Sequence, residues 1–267
     1  MVARSSGGIA SALRPYLALS RRAVVTTFRQ PTAILPAMTF PLLFMALSSA
    51  AFERSTRLPG FPEVDSFLQF LVATSIVQGT LFGSVAAGTA MATDIENGFF
   101  ERLVAAPSSR NSILVGRVMG AAVLAFVQAW VFIGVATIFG LAVESGVAGM
   151  FLVAIAAAIL GAGVGAIAMS FALRTGSAEA VQGSFPLLFA GLFLSGAFFP
   201  RDLMDGWFKV VAGYNPFTYL IESLRSLVID GLDVMEFLTA AGVAGAIFVA
   251  GLILSNAALR RRLSVSA

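Results

Sequence analysis

Few side chains in this sequence could carry covalent or acid–base chemistry. It has no histidine and no cysteine, and Lys209 is its only lysine. Thiol nucleophiles, disulfides, zinc sites of the usual kind and histidine proton transfer are therefore excluded. No GxxxxGK[ST] run is present, so the chain has no P-loop to cradle ATP phosphates. What is left is recognition. A polar segment, residues 96–117 (ENGFFERLVAAPSSRNSILVGR), lies wedged between two long apolar runs. Within it Phe99, Phe100, Glu101, Arg102, Leu103 and Val104 supply about one and a half helical turns, delimited by Gly98 and Pro107. A short helix of mixed aromatic and charged residues can fill a groove on a soluble partner, and a positioned pair, Glu101 with Arg102, would fix its orientation. A hairpin that met only water would have no use for Phe99 and Phe100.

The elements that must hold this segment are apolar and long. The chain of 267 residues is 58% hydrophobic and only 12% charged, against about a quarter charged in soluble domains. Its mean hydropathy is +0.91, and too few charges are available to build a soluble surface. Six runs, residues 33–52, 67–91, 118–141, 148–173, 181–199 and 237–259, are long enough to cross a hydrocarbon core of about 30 Å as helices. Backbone amides in lipid have no water to pair with, so each run must be helical. The expected fold is one all-α polytopic membrane domain over residues 1–267, with six transmembrane helices. Pro36 and Pro41 in the first span and Pro186 in the fifth imply kinks whose freed carbonyls are satisfied by neighbours.

Two further segments frame the spans. Residues 15–30 (PYLALSRRAVVTTFRQ) read as a helix with proline in its first turn. It is either an interfacial helix, with Arg21, Arg22 and Arg29 near lipid phosphates, or a solvated basic arm. Residues 200–236 mix Trp207, Phe208, Tyr214, Phe217 and Tyr219 with charges. There Asn215 caps, and Pro216 opens, the second of two short helical pieces. These form either a re-entrant pair dipping from the outer face or an amphipathic loop packed on it.

Charge fixes the expected orientation. With the N-terminus cytoplasmic, the inner segments hold 12 of the 17 basic residues and four of the 14 acidic ones, giving net charges of +8 inside and −5 outside. This positive-inside pattern puts both termini in the cytoplasm and accounts for the basic pI without nucleic acid.

No Asp or Glu falls inside any of the six spans, so the usual carboxylates of an ion-coupled carrier are missing. Uphill transport would need energy from a partner. Gly79 with Gly83, Gly116 with Gly120 and Gly161 with Gly165 let helices approach closely. The amides Gln69, Gln78, Gln128, Gln182 and Asn256 must face other helices or a polar path. With Phe82, Phe185, Phe189 and Phe193 on the second and fifth spans, a path through Gln78 and Gln182 suits an amphipathic or apolar molecule. Tryptophan and tyrosine for stacking sugars are scarce.

The run Glu96, Gly98, Phe99, Phe100, Glu101, Arg102, Leu103, Pro107, then Leu114, Val115, Gly116 and Arg117, resembles the signature of ABC-2 type permeases, the membrane subunits of many bacterial ABC exporters. A second stretch is similar to that family between its fifth and sixth spans: Phe199-Pro200, Trp207, Asn215-Pro216-Phe217-Thr218-Tyr219, Glu222 and Leu224-Arg225. Phe99-Phe100 depart from the Thr-Leu of many members. In texture the chain most resembles daunorubicin-resistance-type permeases. The resemblance implies that residues 96–107 form a coupling helix docking on a separate ATP-binding subunit, present in two copies and binding the ATP and Mg. It implies a second permease copy, identical or related, around a path lined by the second and fifth spans. It also implies that Asn215, Pro216, Glu222 and Arg225 belong to an outer gate, and that the chain sits among the lipids of a bacterial inner membrane. The function so implied is export of hydrophobic or amphipathic drugs or lipids. Alternatives are a polysaccharide or glycolipid exporter permease and a carrier or channel that needs no ATPase.

Overall fold

The computed structural model describes residues 9–105 and 110–265, and Pro107 lies outside them. The described chain is helical from end to end, without strands. The first helix, α1 (Ile9–Phe28), turns at Arg29 and Gln30 into α2 (Pro31–Phe52). Next come α3 (Phe67–Glu96), the short α4 (Phe99–Ala105), α5 (Arg110–Ile138) and α6 (Gly146–Thr175). Then follow α7 (Ala178–Gly183), α8 (Phe185–Phe193), α9 (Gly206–Tyr214), α10 (Pro216–Ile229) and α11 (Val234–Val265).

Five of these, α2, α3, α5, α6 and α11, contain stretches long and apolar enough to cross a membrane. The run expected as the fifth span, residues 181–199, is not one helix. It divides into α7 and α8 at Ser184, with Pro186 in the first turn of α8, and the chain beyond Phe193 is turns. Proline cannot donate to the preceding turn, and that costs the helix its continuity here.

Proline acts differently in α2, which runs unbroken through Pro36 and Pro41. Pro41 leaves the carbonyl of Ala37 without its helical donor, and the Gln128 side-chain amide of α5 donates to that oxygen at 3.2 Å. The defect of one helix is mended by a buried amide of another. Gln69 does similar work, accepting from the Asp65 amide at 2.9 Å and donating to Ala142 at 3.4 Å.

The central helix is α3. Its most apolar stretch is 83% buried, against 22% for the α2 span and 17% for α11. The outer helices instead present Leu43, Leu47, Val249 and Ile253, as lipid-facing surfaces do. With 30 residues, α3 is about 45 Å long at 1.5 Å per residue, longer than the hydrocarbon core, so its ends reach past the apolar layer.

The glycine pairs are contacts within this one chain. Gly79 and Gly83 face Phe132 and Gln128 of α5, Gly116 and Gly120 face Leu19 and Thr27 of α1, and Gly161 and Gly165 face Ala125 and Ala121 of α5. A close seam joins α6 to α11, where a Cβ on Gly163 would stand 2.8 Å from the Phe248 backbone nitrogen. Backbone cannot step aside as a side chain can. Gly163→Leu should therefore pry the two helices apart and cost about 1–3 kcal/mol, the usual range for overpacking. Reversible unfolding in mixed micelles measures this, with Gly134→Ala, whose Cβ enters open space, expected to lose nothing.

Candidate functional site: a braced helix, a ring-lined face and a locked loop

At the arginine-rich end, Gly98 takes a left-handed turn at φ +64°, which folds α4 back beneath the bundle. Phe100 is only 2% exposed and packs with Met91, Ile95, Ile113, Leu114, Met169 and Leu173. Leu103 lies half-buried against the same cluster. Phe99 sits under the Arg22 guanidinium, 4.2 Å from its ring centroid, with Arg102 at 5.5 Å. The two rings thus have work inside this subunit, contrary to the expectation that only a partner could use them. What α4 turns outward is Glu101 and Arg102.

The helix is braced by two arginines, and the end of α3 that precedes it is tied as well. Arg22 holds it to α1. Arg262 of α11 reaches Glu101 at 3.7 Å, lies 5.8 Å from the Phe100 centroid and donates to the Leu173 carbonyl of α6 at 3.3 Å. Glu96, at the end of α3, accepts from the Ala178 amide at 2.8 Å and so grips the start of α7. Asp94 and Arg117 form an ion pair one turn further in. Sequence motifs contained Glu96 and Arg117, but nothing in them signalled Arg22 or Arg262 as their companions.

Midway through the bundle the phenylalanines named from sequence do converge. Between ring centroids, Phe82 is 4.4 Å from Phe185 and 5.5 Å from Phe189, Phe185 is 5.3 Å from Phe189, and Phe189 is 5.1 Å from Phe193. Three rings missed by sequence reasoning extend the array. Phe40 lies 5.2 Å from Phe82, Phe198 4.7 Å from Phe193, and Phe44 5.3 Å from Phe198. The four-residue spacing of Phe40 and Phe44, repeated in Phe185, Phe189 and Phe193, is the signal that could have found those two, since such residues share a helix face. Phe198 lies beyond the helix and had no such signal. These rings are half-buried or exposed, so they form a continuous apolar strip along α2 and α8.

Gln182 is exposed, whereas Gln78, one turn from Phe82 along α3, is fully enclosed. Neither polar atom of the Gln78 side chain has a hydrogen-bond partner. The structure therefore does not put Gln78 on the open strip.

At the opposite end, the residues expected as a gate act as a lock. The Asn215 side-chain oxygen caps α10 by accepting from the Phe217 amide at 2.9 Å, while its nitrogen donates to Gly191 at 2.7 Å and Leu194 at 3.0 Å. Pro216 occupies the first turn, where no amide is missed. The Thr218 hydroxyl accepts from the Gly196 amide at 3.1 Å. Arg201 pairs with Glu222 at 2.8 Å. Arg225 is buried, donates to the carbonyls of Phe70, Gly196 and Ala197 at 3.0–3.3 Å, and stacks 3.6 Å over the Phe70 ring. Burial pushes its guanidinium down to about 9, with Glu222 opposing the fall. These bonds tie α10 to the broken end of α8 and to α3.

Five helices long and apolar enough to cross a bilayer make this a multi-pass membrane protein. The chain belongs to the ABC-2 type transporter family, whose sequence model matches residues 14–229. It is 28% identical over 220 residues to the Cyanophora paradoxa protein named "Putative transport permease ycf38", covering 80% of this chain and 74% of that one. A Streptomyces coeruleorubidus relative, "Daunorubicin resistance ABC transporter permease protein DrrB1", is 28% identical over 73% of this chain and 66% of its own length. A third, from Mycobacterium tuberculosis, is "Probable doxorubicin resistance ABC transporter permease protein DrrC", 23% identical over 76% of this chain and 72% of its own. The chain is thus a transport permease subunit and not an enzyme.

Replacing Arg225 by methionine keeps the bulk but leaves the buried Gly196 carbonyl without a donor, at ~1–3 kcal/mol for an unsatisfied group. Ala197 keeps the Thr74 hydroxyl and Phe70 its helical amide. A stability loss of about 1–3 kcal/mol is expected in micelle unfolding. Arg225→Lys should recover only part, because an ammonium lacks the guanidinium fork.

Proposed function

We propose that this chain is the membrane half of an ATP-driven exporter, energised by separate ATP-binding subunits docking on α4. The exposed pair Glu101 and Arg102, on a helix whose other faces are fastened to α1, α3, α6 and α11, carries this reading. A helix so braced would pass a push to the spans instead of absorbing it. In this reading α4 and both ends of the described chain face the cytoplasm, as the net charges of +8 and −5 favour, and two copies of the permease would assemble with two ATP-binding subunits. ATP and Mg would belong to the partner.

The substrate class is a hydrophobic or amphipathic molecule, a drug or a lipid. The strip of phenylalanine rings supports it, because it offers large apolar contact area with few hydrogen-bonding anchors. Two of the relatives carry drug-resistance names. Residues 200–236 would stand at the outer end of the path. There α9 turns Trp207, Val210 and Tyr214 outward, a face suited to a head-group region.

Arg102 is the cleanest probe, since Glu101 also holds Arg262. Arg102→Glu should leave the protein in the membrane yet cut partner ATP hydrolysis and export at least tenfold, as expected when one close charge pair worth ~1.4 kcal/mol or more is lost. Undiminished export, or loss of the protein from the membrane, would sink the assignment.

A further inference from the structure

A groove of about 490 Å³ lies between α1, α2, α3 and α5, and one end of it is the arginine-rich end. Its α3 wall runs from Phe82 to Asp94, about 18 Å at 1.5 Å per residue. That is close to the depth of one leaflet, half of a core of about 30 Å.

The lining is graded along this length. Arg22, Arg117 and Asp94 line one end, threonine hydroxyls such as Thr26 and Thr93 follow, and Ile34, Phe82 and Leu124 line the other, with Gln30 and Gln182 also on the wall. Asp94 is already paired with Arg117, so the excess positive charge rests on Arg22. The Phe99 ring centroid lies 4.2 Å from that guanidinium carbon. With five N–H donors, a guanidinium held against a ring still has donors for the oxygens of a phosphate.

We propose that this groove binds one acidic phospholipid of the adjoining leaflet, its phosphate on Arg22 and an acyl chain along α3. A zwitterionic lipid brings no net charge to answer Arg22. A free anion would leave the apolar end uncovered, and a cationic amphiphile meets the wrong sign. The bound lipid would be a structural wedge between α1 and the bundle. The groove meets the ring strip at Phe82, but the role proposed here is structural and does not depend on which subunit drives export.

The test equilibrates the purified protein in detergent with equal phosphatidylglycerol and phosphatidylcholine, then reads bound lipid by native mass spectrometry. One phosphatidylglycerol per chain should be retained preferentially. Arg22→Gln should lower that retention about tenfold, the loss of a charge-assisted bond of ~1.5 kcal/mol, and Arg22→Lys should preserve most of it. Arg21→Gln, exposed on the same helix and outside the groove, should change nothing. Ala90→Leu, which fills the groove without touching its charges, should reduce retention of both lipids. Equal losses from the Arg21 and Arg22 variants would overturn the proposal by showing diffuse surface attraction. Displacement of the lipid by inorganic phosphate, no effect of Ala90→Leu, or stronger retention of a cationic amphiphile would overturn it too.

Discussion

In a bilayer every backbone amide and carbonyl must find a partner within the protein, and the rest of this structure is arranged around that demand. Regular helix meets it without help. The telling places are where the helix fails. Pro41 orphans the Ala37 carbonyl, and Gln128 answers it from across the bundle. The chain leaves helix after Phe193, and Asn215, Thr218 and Arg225 are spent on the exposed groups of residues 191–197. Several of the buried polar side chains of this apolar molecule thus answer breaks in its backbone.

This changes how the family motif is understood physically. Asn215, Thr218 and Arg225 recur along one helix because they serve one loop. Asn215 supplies donor and acceptor together, Thr218 an acceptor, and Arg225 a fork of donors whose charge is spread over three carbonyls and a ring. A guanidinium suits such burial better than an ammonium, being more weakly hydrated. Gln78 stands apart. Its amide is as buried as the others, yet its nitrogen and oxygen meet no protein partner. Such a group is costly in a low-dielectric interior.

Much of this was legible in the sequence, and the misses share a cause. Hydropathy marks helices such as α3 and α6 well because twenty apolar residues admit few other structures. It marked residues 181–199 equally strongly, but hydropathy measures what lies along a segment and is blind to one broken hydrogen bond at Pro186. The cap at Asn215 and the start at Pro216 were readable because capping is local. Arg22, Arg262 and Phe40 were not, since their roles depend on contacts between distant parts of the chain. Phe100 misled for the same reason. A ring next to charged residues looks wet until the fold shows the apolar cluster above it.

The brace on α4 also has a history in time. Arg22 is made before Phe99, but Arg262 is among the later residues of the described chain and follows Glu101 from the ribosome on the order of ten seconds later, at ~5–20 residues per second. Until α11 has been inserted and has packed against α6, the outward face of α4 is held on one side only. The face carrying Glu101 and Arg102 is therefore completed only after α11 is in place. Any subunit that requires a firmly seated α4 would, by that order alone, pass over half-inserted chains.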